Sequence, residues 1–178
     1  MTARDSHGFT LIELLIVVAI ITIIAAFAIP NLMRSRTAAN EASALASLKA
    51  IGGAQQVYSA TAAGGGFADA LPTLGIPCGG TGQAFLGADL TGGPTAVKSG
   101  YTVGLTAASG AADGPIDCNG TTTTTGYYAT AVPVALGQTG SRGFASDASI
   151  AIWENTGGAA PSEAEMTSPP TQTVHPIR

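Results

Sequence analysis

The stretch "HGFTLIELLIVVAIITIIAAFAIP", from His7 to Pro30, decides the fold. Between Phe9 and Ile29 it holds fourteen Leu, Ile, Val and Phe residues, and Glu13 is the one charged residue among them. A helix of this length spans about 30 Å, which is the thickness of the hydrocarbon core of a bilayer. The stretch therefore predicts a helix over residues 9–29 that enters a membrane despite its glutamate.

Glu13 needs a partner in such surroundings, because an ionisable group in lipid is costly unless it is paired. No Lys or Arg lies within a helical turn of it in the sequence. The remaining cationic candidate is an α-amino group, which would exist at Phe9 if the chain were cut after Gly8.

The run Gly8-Phe9-Thr10-Leu11-Ile12-Glu13, followed by an apolar helix and by "IPNLMRSRTAANEASALASLKAI", resembles the type IV pilins and the similar type II secretion pseudopilins. The resemblance implies a leader peptide of residues 1–8, which a membrane prepilin peptidase removes by cutting between Gly8 and Phe9. It also implies N-methylation of Phe9 and contact between Glu13 and the amino-terminal ammonium of a neighbouring subunit during assembly.

Two other interpretations of the amino-terminal stretch stay open. One is a secretory signal peptide, for which Ala26-Phe27-Ala28 offers a cleavage site of the A-x-A type. The other is a single-pass anchor in which Glu13 is incidental. Two features depart from the family pattern: His7 stands where many leaders carry Lys or Arg, and more basic residues follow the apolar helix than precede it, against the positive-inside rule.

Pro30 predicts a kink near residues 26–30, because proline lacks a backbone donor and clashes with the preceding turn. Good helix formers beyond it predict that the helix resumes and ends near residue 63, before "GGGF" at residues 64–67. Leu45, Leu48 and Ile51 recur at helical spacing, which indicates a stripe that packs on the chain's own domain.

Three later stretches predict β-strands, because they are short, bounded by turns and roughly alternating. They are "GYTVGLTA" (100–107), "GYYATAVPV" (126–134) and "ASIAIW" (148–153), with "SRGF" (141–144) as a candidate fourth. The predicted fold class is α+β: a long N-terminal hydrophobic helix packed on a small antiparallel sheet of 3–4 strands, and the resemblance implies the same ladle-like pilin fold.

The predicted organisation has four parts. They are a leader peptide over 1–8, a long helix over 9–63 whose residues 9–29 cross the membrane, a globular β domain over 64–156, and an extended polar tail over 157–178. The tail is rich in proline, which favours an extended or disordered segment. A strap lying on a neighbouring subunit is the alternative for it.

The chain has two cysteines, Cys78 and Cys118, both beyond the apolar stretch. Export of that part of the chain favours one disulfide, which would close a loop of about 41 residues and contribute about 4 kcal/mol. Two unrelated buried thiols are the alternative.

Composition argues against several functions. The net charge is −4 and the sequence has no Lys/Arg cluster, so we expect no nucleic-acid partner. The two histidines, His7 and His175, offer no base for a nucleophile, so we expect no enzyme, cofactor or metal. "DGPIDCNG" (113–120) could hold calcium, and Asn119-Gly120-Thr121 fits a glycosylation sequon, but a polar loop explains both.

The predicted function is that of a structural subunit of a type IV pilus, an extracellular helical homopolymer that serves adhesion, twitching motility or DNA uptake. The precursor would span the bacterial inner membrane once and meet the prepilin peptidase and the pilus assembly platform. The major pseudopilin of a type II secretion system is the alternative within the same class. A membrane-anchored binding module that never polymerises is the alternative from another class.

Overall fold

The computed structural model describes residues 9–80 and 82–177. Gly8, the predicted cleavage residue, lies outside this range. The chain divides into two compact units, of which the first ends at Arg36 and the second begins at Thr37.

One long helix, α1 (Leu11–Thr61), contributes residues to both units. Three short helices follow it in the second unit: α2 (Leu71–Leu74), α3 (Ala88–Thr91) and α4 (Glu163–Thr167), and a 3₁₀ turn spans Cys78–Gly80. The strands are β1 (Thr95–Lys98), β2 (Tyr101–Ala107), β3 (Asp113–Ile116), β4 (Thr122–Thr124), β5 (Tyr127–Pro133), β6 (Gly143–Asp147), β7 (Ile152–Asn155) and β8 (Val174–Pro176).

The main sheet of the second unit has six strands in the order β1-β2-β5-β6-β7-β8, and every neighbouring pair is antiparallel. Along β5, buried and half-buried residues alternate over the whole strand. This alternation places one face of the sheet in the core. Strands β3 and β4 form a separate two-stranded sheet.

The carboxy-terminal half of α1 covers the core side of this sheet. Its buried residues repeat at helical spacing and include Ala44, Leu48, Ile51 and Tyr58, each no more than 1% exposed. They belong to one hydrophobic cluster with residues of β2, β5 and β6. The predicted fold class, a long apolar helix with a helix–sheet core, is therefore confirmed.

The prediction of 3–4 strands in the sheet is wrong, because the main sheet has six. Edge strands β1 and β8 are only four and three residues long, too short to produce a clear alternating pattern. The stretch 148–153 was expected to be one strand, but its first half is a turn in which the Ile150 amide donates to the Asp147 carbonyl oxygen at 2.9 Å. The strands on either side of that turn are β6 and β7.

The predicted extended tail over 157–178 differs from the structure. Ser162 and Glu165 form a reciprocal capping box that begins α4. Strand β8 then pairs with β7, with His175 opposite Glu154. Local caps and one strand pairing therefore order a segment whose composition favours disorder.

The two cysteines form a disulfide, Cys78–Cys118, which ties the 3₁₀ turn to the loop between β3 and β4. The same loop is anchored on α1, because the buried Tyr58 hydroxyl donates to Asp117 at 2.8 Å. Asn119 adds a third link, accepting from the Gly79 amide at 3.0 Å.

Replacing both Cys78 and Cys118 with alanine should lower the free energy of unfolding by about 4 kcal/mol, because the unfolded chain loses the constraint of a 40-residue loop. Chemical denaturation of the detergent-solubilised full-length chain measures this change. Dithiothreitol should lower the stability of the wild type equally and leave that of the double variant unchanged. Equal sensitivity of both proteins to the reductant would contradict the prediction.

Candidate functional site

The amino-terminal end of α1 holds Glu13 by a reciprocal pair of contacts with Thr10. The Thr10 amide and hydroxyl donate to Oε2 of Glu13 at 2.9 and 2.6 Å, and the Glu13 amide faces the Thr10 hydroxyl oxygen at 3.3 Å. This is a capping box, in which a threonine and a glutamate three residues later satisfy amide groups at the start of a helix. The spacing Thr-x-x-Glu is visible in the sequence, so this role of Thr10 could have been predicted.

The contacts from Thr10 use one oxygen of the Glu13 carboxylate. Both Thr10 donors reach Oε2, and Oε1 accepts no hydrogen bond from the described residues. Glu13 therefore has the capacity to accept from a further donor, and a cation is the strongest such donor.

The first unit exposes an apolar surface on every side of the helix. Sixteen large apolar residues from Phe9 to Met33 are between 46% and 82% exposed, and they are Phe9, Leu11, Ile12, Leu14, Leu15, Ile16, Val17, Val18, Ile20, Ile21, Ile23, Ile24, Phe27, Ile29, Leu32 and Met33. A helix that is hydrophobic all round needs lipid or other protein around it. By length and composition α1 is the one helix of the described residues that could cross a membrane.

Helix α1 continues through Pro30, which lies inside it. The kink predicted at this residue stays a prediction.

A second polar cluster joins α1 to the sheet within the second unit, and sequence reasoning missed it. Glu41 of α1 accepts from the Ser141 amide at 2.9 Å and from the Arg142 guanidinium at 2.7 and 3.0 Å. Arg142 also pairs with Glu154 of β7, whose other oxygen lies 2.8 Å from Nε2 of His175 in β8. The cluster thereby connects α1 with β7 and with β8, the carboxy-terminal strand.

Burial of Glu41 would by itself raise the pKa of its carboxyl, but the donors from Ser141 and Arg142 outweigh burial and lower it. The same two effects, burial and hydrogen-bond donors, act in opposite directions on the pKa of Asp117. Burial is outweighed by donors from the Thr121 amide, the Tyr58 hydroxyl and the Asn119 amide, and the pKa of Asp117 is lowered. Both carboxylates therefore stabilise the fold in their charged form.

The side chains of Asp117 and Asn119, in the loop after β3, form hydrogen bonds within the second unit. Oδ1 of Asp117 accepts from the Asn119 and Thr121 amides at 2.9 and 2.6 Å, and its Oδ2 accepts from Tyr58. The Asn119 side chain accepts from Gly79 and donates to the Pro77 carbonyl oxygen at 3.3 Å. These contacts give Asp117 and Asn119 a structural role within the fold. Among the described residues no three His, Cys, Asp or Glu side chains are grouped to hold a metal ion.

The amino-terminal stretch matches a known family model and two curated proteins. Residues 3–29 match the model of the prokaryotic N-terminal methylation motif. The chain is 63% identical over 38 residues to the type IV wide pilus major component PilA4 of Thermus thermophilus, which covers 21% of this chain and 29% of that protein. It is 49% identical over 53 residues to the type IV major pilin protein PilA of Myxococcus xanthus, covering 30% and 24%.

The chain therefore spans less than a third of the length of these two relatives. No solved structure matches the chain. The resemblance to type IV pilins is confirmed, and the sequence similarity that supports it lies in the amino-terminal stretch.

Replacing Thr10 with valine, which has the same shape but no hydroxyl, should weaken the first turn of α1 by about 1 kcal/mol, because the cap is lost. Amide hydrogen exchange of residues 11–14, measured by NMR in detergent micelles, should become faster. Thr10→Ser keeps the hydroxyl and should exchange like the wild type. Equal exchange in the valine and serine variants would show that the capping box does not hold the helix start.

Acid should destabilise the second unit, because the folded pKa values of Glu41 and Asp117 lie below their unfolded values. Their contribution is complete above the unfolded pKa values of about 4, and it is lost as the pH falls through the folded values. Thermal unfolding of the detergent-solubilised full-length chain from pH 7 to pH 2.5 measures this loss.

The Glu41→Gln variant tests whether the Glu41 carboxylate contributes to this sensitivity to acid. At pH 7 it should cost about 2 kcal/mol, because a charged hydrogen-bonding partner of Arg142 is lost. Its unfolding temperature should also fall less steeply with acid than that of the wild type. A Glu41→Gln profile parallel to the wild-type profile would contradict the assignment.

Proposed function

We propose that this chain is the structural subunit of a type IV pilus, an extracellular helical filament. The observation that carries the proposal is the uncovered apolar part of α1, whose first turn holds Glu13 in a capping box and which overlaps the match to the N-terminal methylation motif over residues 3–29. The similarity to two major pilus components supports the same function. Both relatives are named as pilus components, so the pseudopilin alternative receives no support from them.

The precursor is a membrane protein with one spanning helix in the bacterial inner membrane. A prepilin peptidase removes residues 1–8 by cutting after Gly8, and the new amino terminus at Phe9 is methylated. The assembly platform of the pilus then receives a subunit whose helix has no polar face. Adhesion, twitching motility or DNA uptake is the work of the finished filament.

Because exposing the apolar helix to water is costly, the helix must pass directly from lipid into contact with the helices of other copies. Exposing the fourteen Leu, Ile, Val and Phe side chains of residues 9–29 to water would cost on the order of 20–40 kcal/mol. Bundling the helices of many subunits removes that cost, because each helix then covers its neighbours. The same surface that inserts into lipid therefore becomes the core of the filament.

Glu13 gives this core a register. Cleavage creates an ammonium group at Phe9, and Oε1 of Glu13, which accepts from none of residues 9–80 and 82–177, can accept from the ammonium of the next subunit. Attraction in a low-dielectric core is strong, but desolvation of the two charges offsets much of it. The pair therefore selects one axial offset between neighbours more than it stabilises the filament.

Replacing Glu13 with alanine should abolish surface filaments while the processed or unprocessed protein remains in the membrane fraction, because insertion depends on the apolar residues alone. Electron microscopy of the cells and immunoblots of sheared and membrane fractions provide the readouts. Ile16→Ala, which removes apolar area from the same helix without removing a charge, should retain filaments. Filaments on cells that carry Glu13→Ala would exclude the assembly role of the carboxylate.

The processing step has its own test, which is the mass of the protein sheared from wild-type cells. We expect a chain that begins at N-methylated Phe9, identified by fragmentation of the amino-terminal peptide. A chain that begins at Ile29 would identify a secretory signal peptide instead. A chain that begins at Met1 and stays in the membrane would identify a simple anchor.

A further inference from the structure

Two arginines follow the apolar part of α1, against the positive-inside rule, and the pilus function does not account for them. Arg34 and Arg36 are exposed residues of the helix within the first unit. Neither belongs to an ion pair with another residue of the described part of the chain. Exposed guanidinium groups at the end of an apolar helix are suited to bind phosphate groups at a membrane surface, because they donate two parallel hydrogen bonds to an anion.

The exposed apolar surface of α1 extends beyond Ile29, where the predicted span ends. Leu32 is 54% exposed and Ile29 is 58% exposed, so the surface is the same on both sides of this boundary. Twenty consecutive residues, 14–33, carry no charge, and Glu13 and Arg34 bound them. In a helix these residues extend about 30 Å, which equals the thickness of the hydrocarbon core of a bilayer.

The spans 9–29 and 14–33 are both long enough to cross a membrane, so the charge of Glu13 distinguishes them. The first span places this carboxylate in hydrocarbon, whereas the second places it at the interface together with Thr10, which caps it. The second span admits Asn31 near its outer end. A neutral amide near an end opposes insertion less than a carboxylate does. The second span is therefore favoured.

We propose that the precursor spans the membrane with residues 14–33 and that Arg34 and Arg36 each bind the phosphate group of an anionic lipid in the outer leaflet. The two arginines lie about 1.5 and 4.5 Å beyond Met33 along the helix, within a headgroup layer of roughly 5–7 Å. They are about 200° apart around the helix. Lipid surrounds a helix and reaches both sides, whereas one protein surface reaches only one.

This placement rests on the proposed function, because that function supplies the membrane-spanning precursor and its orientation. In the precursor Glu13 lies at the inner interface, where water and Thr10 solvate its carboxylate. The carboxylate is then buried only when the subunit leaves the bilayer for the filament. The arginines lose their lipid phosphates at the same step, so extraction of each subunit includes the exchange of both contacts.

Two single-cysteine variants, Ile12→Cys and Leu32→Cys, test the placement. The full-length precursor is reconstituted into vesicles of phosphatidylcholine and phosphatidylglycerol and treated with N-ethylmaleimide, which reacts with thiolates in contact with water. The native cysteines are paired and do not react. Ile12→Cys should react roughly tenfold faster than Leu32→Cys, because a thiol in apolar surroundings is rarely ionised.

Val18→Cys and Ala38→Cys provide the unreactive and the reactive reference. Val18 lies inside both spans, and Ala38 lies beyond both. Faster reaction of Leu32→Cys than of Ile12→Cys would identify the span 9–29 and overturn the inference. Equal rates for these two variants would overturn it as well.

Spin-labelled lipids test the phosphate contacts in the same vesicles. The wild type should bind spin-labelled phosphatidylglycerol roughly two- to fivefold more strongly than spin-labelled phosphatidylcholine, because basic side chains at a membrane surface attract anionic lipid. The variant Arg34→Gln/Arg36→Gln should bind the two lipids equally, whereas Arg34→Lys/Arg36→Lys keeps both charges and should keep the preference. Equal preference in the wild type and the glutamine variant would overturn the lipid contacts.

Filament yield and vesicle flotation separate this inference from the proposed function. Loss of filaments in the glutamine variant with an unchanged lipid preference would assign the arginines to acidic groups of another subunit and overturn the inference alone. Absence of filaments on wild-type cells, with the expected labelling and lipid preference, would overturn the pilus function alone. A wild-type precursor that does not float with the vesicles would overturn both.

Discussion

The constraint on which the structure depends is that one helix needs two different surroundings. Up to Met33 large apolar side chains are exposed on every side of α1, so no single partner surface can cover them. From Glu41 onward only one stripe is buried, and the chain's own sheet covers it. The first part therefore depends on lipid or on other copies, whereas the second part is satisfied within its own unit.

Much of this structure was predictable from patterns among residues that are close together in the sequence. Contacts between residues far apart in the sequence were not predictable. The apolar run, the Leu45-Leu48-Ile51 stripe and the two long strands β2 and β5 each contain enough periodic residues to reveal their structure. The edge strands do not, because pairing with a neighbour rather than an alternating pattern places Thr95–Lys98 and Val174–Pro176 in the sheet. The turn at Ile150 was equally hidden, because isoleucine at a positive φ runs against the preference of the residue.

The residues of the candidate site also differ in whether a local sequence pattern predicts them. The roles expected of Gly8, Phe9 and Glu13 come from a short motif and stay predictions, and the Thr10 cap could have been predicted from its spacing with Glu13. The cluster around Arg142 could not, since Glu41 and Arg142 are 101 residues apart and neither has a local signal. Its effect is to place side chains of α1, β7 and β8 in one polar network, so that the short carboxy-terminal strand has a side-chain contact as well as backbone contacts.

The disulfide would have a mechanical consequence in the filament proposed above. Force applied along a filament tends to unravel its subunits by drawing chain out of them. The covalent bond between Cys78 and Cys118 withholds a 40-residue segment, or about 130–140 Å of extended chain, from that extension. The withheld segment includes β1, β2 and β3, so even a subunit pulled open from both ends would keep the β1–β2 hairpin inside a closed covalent ring.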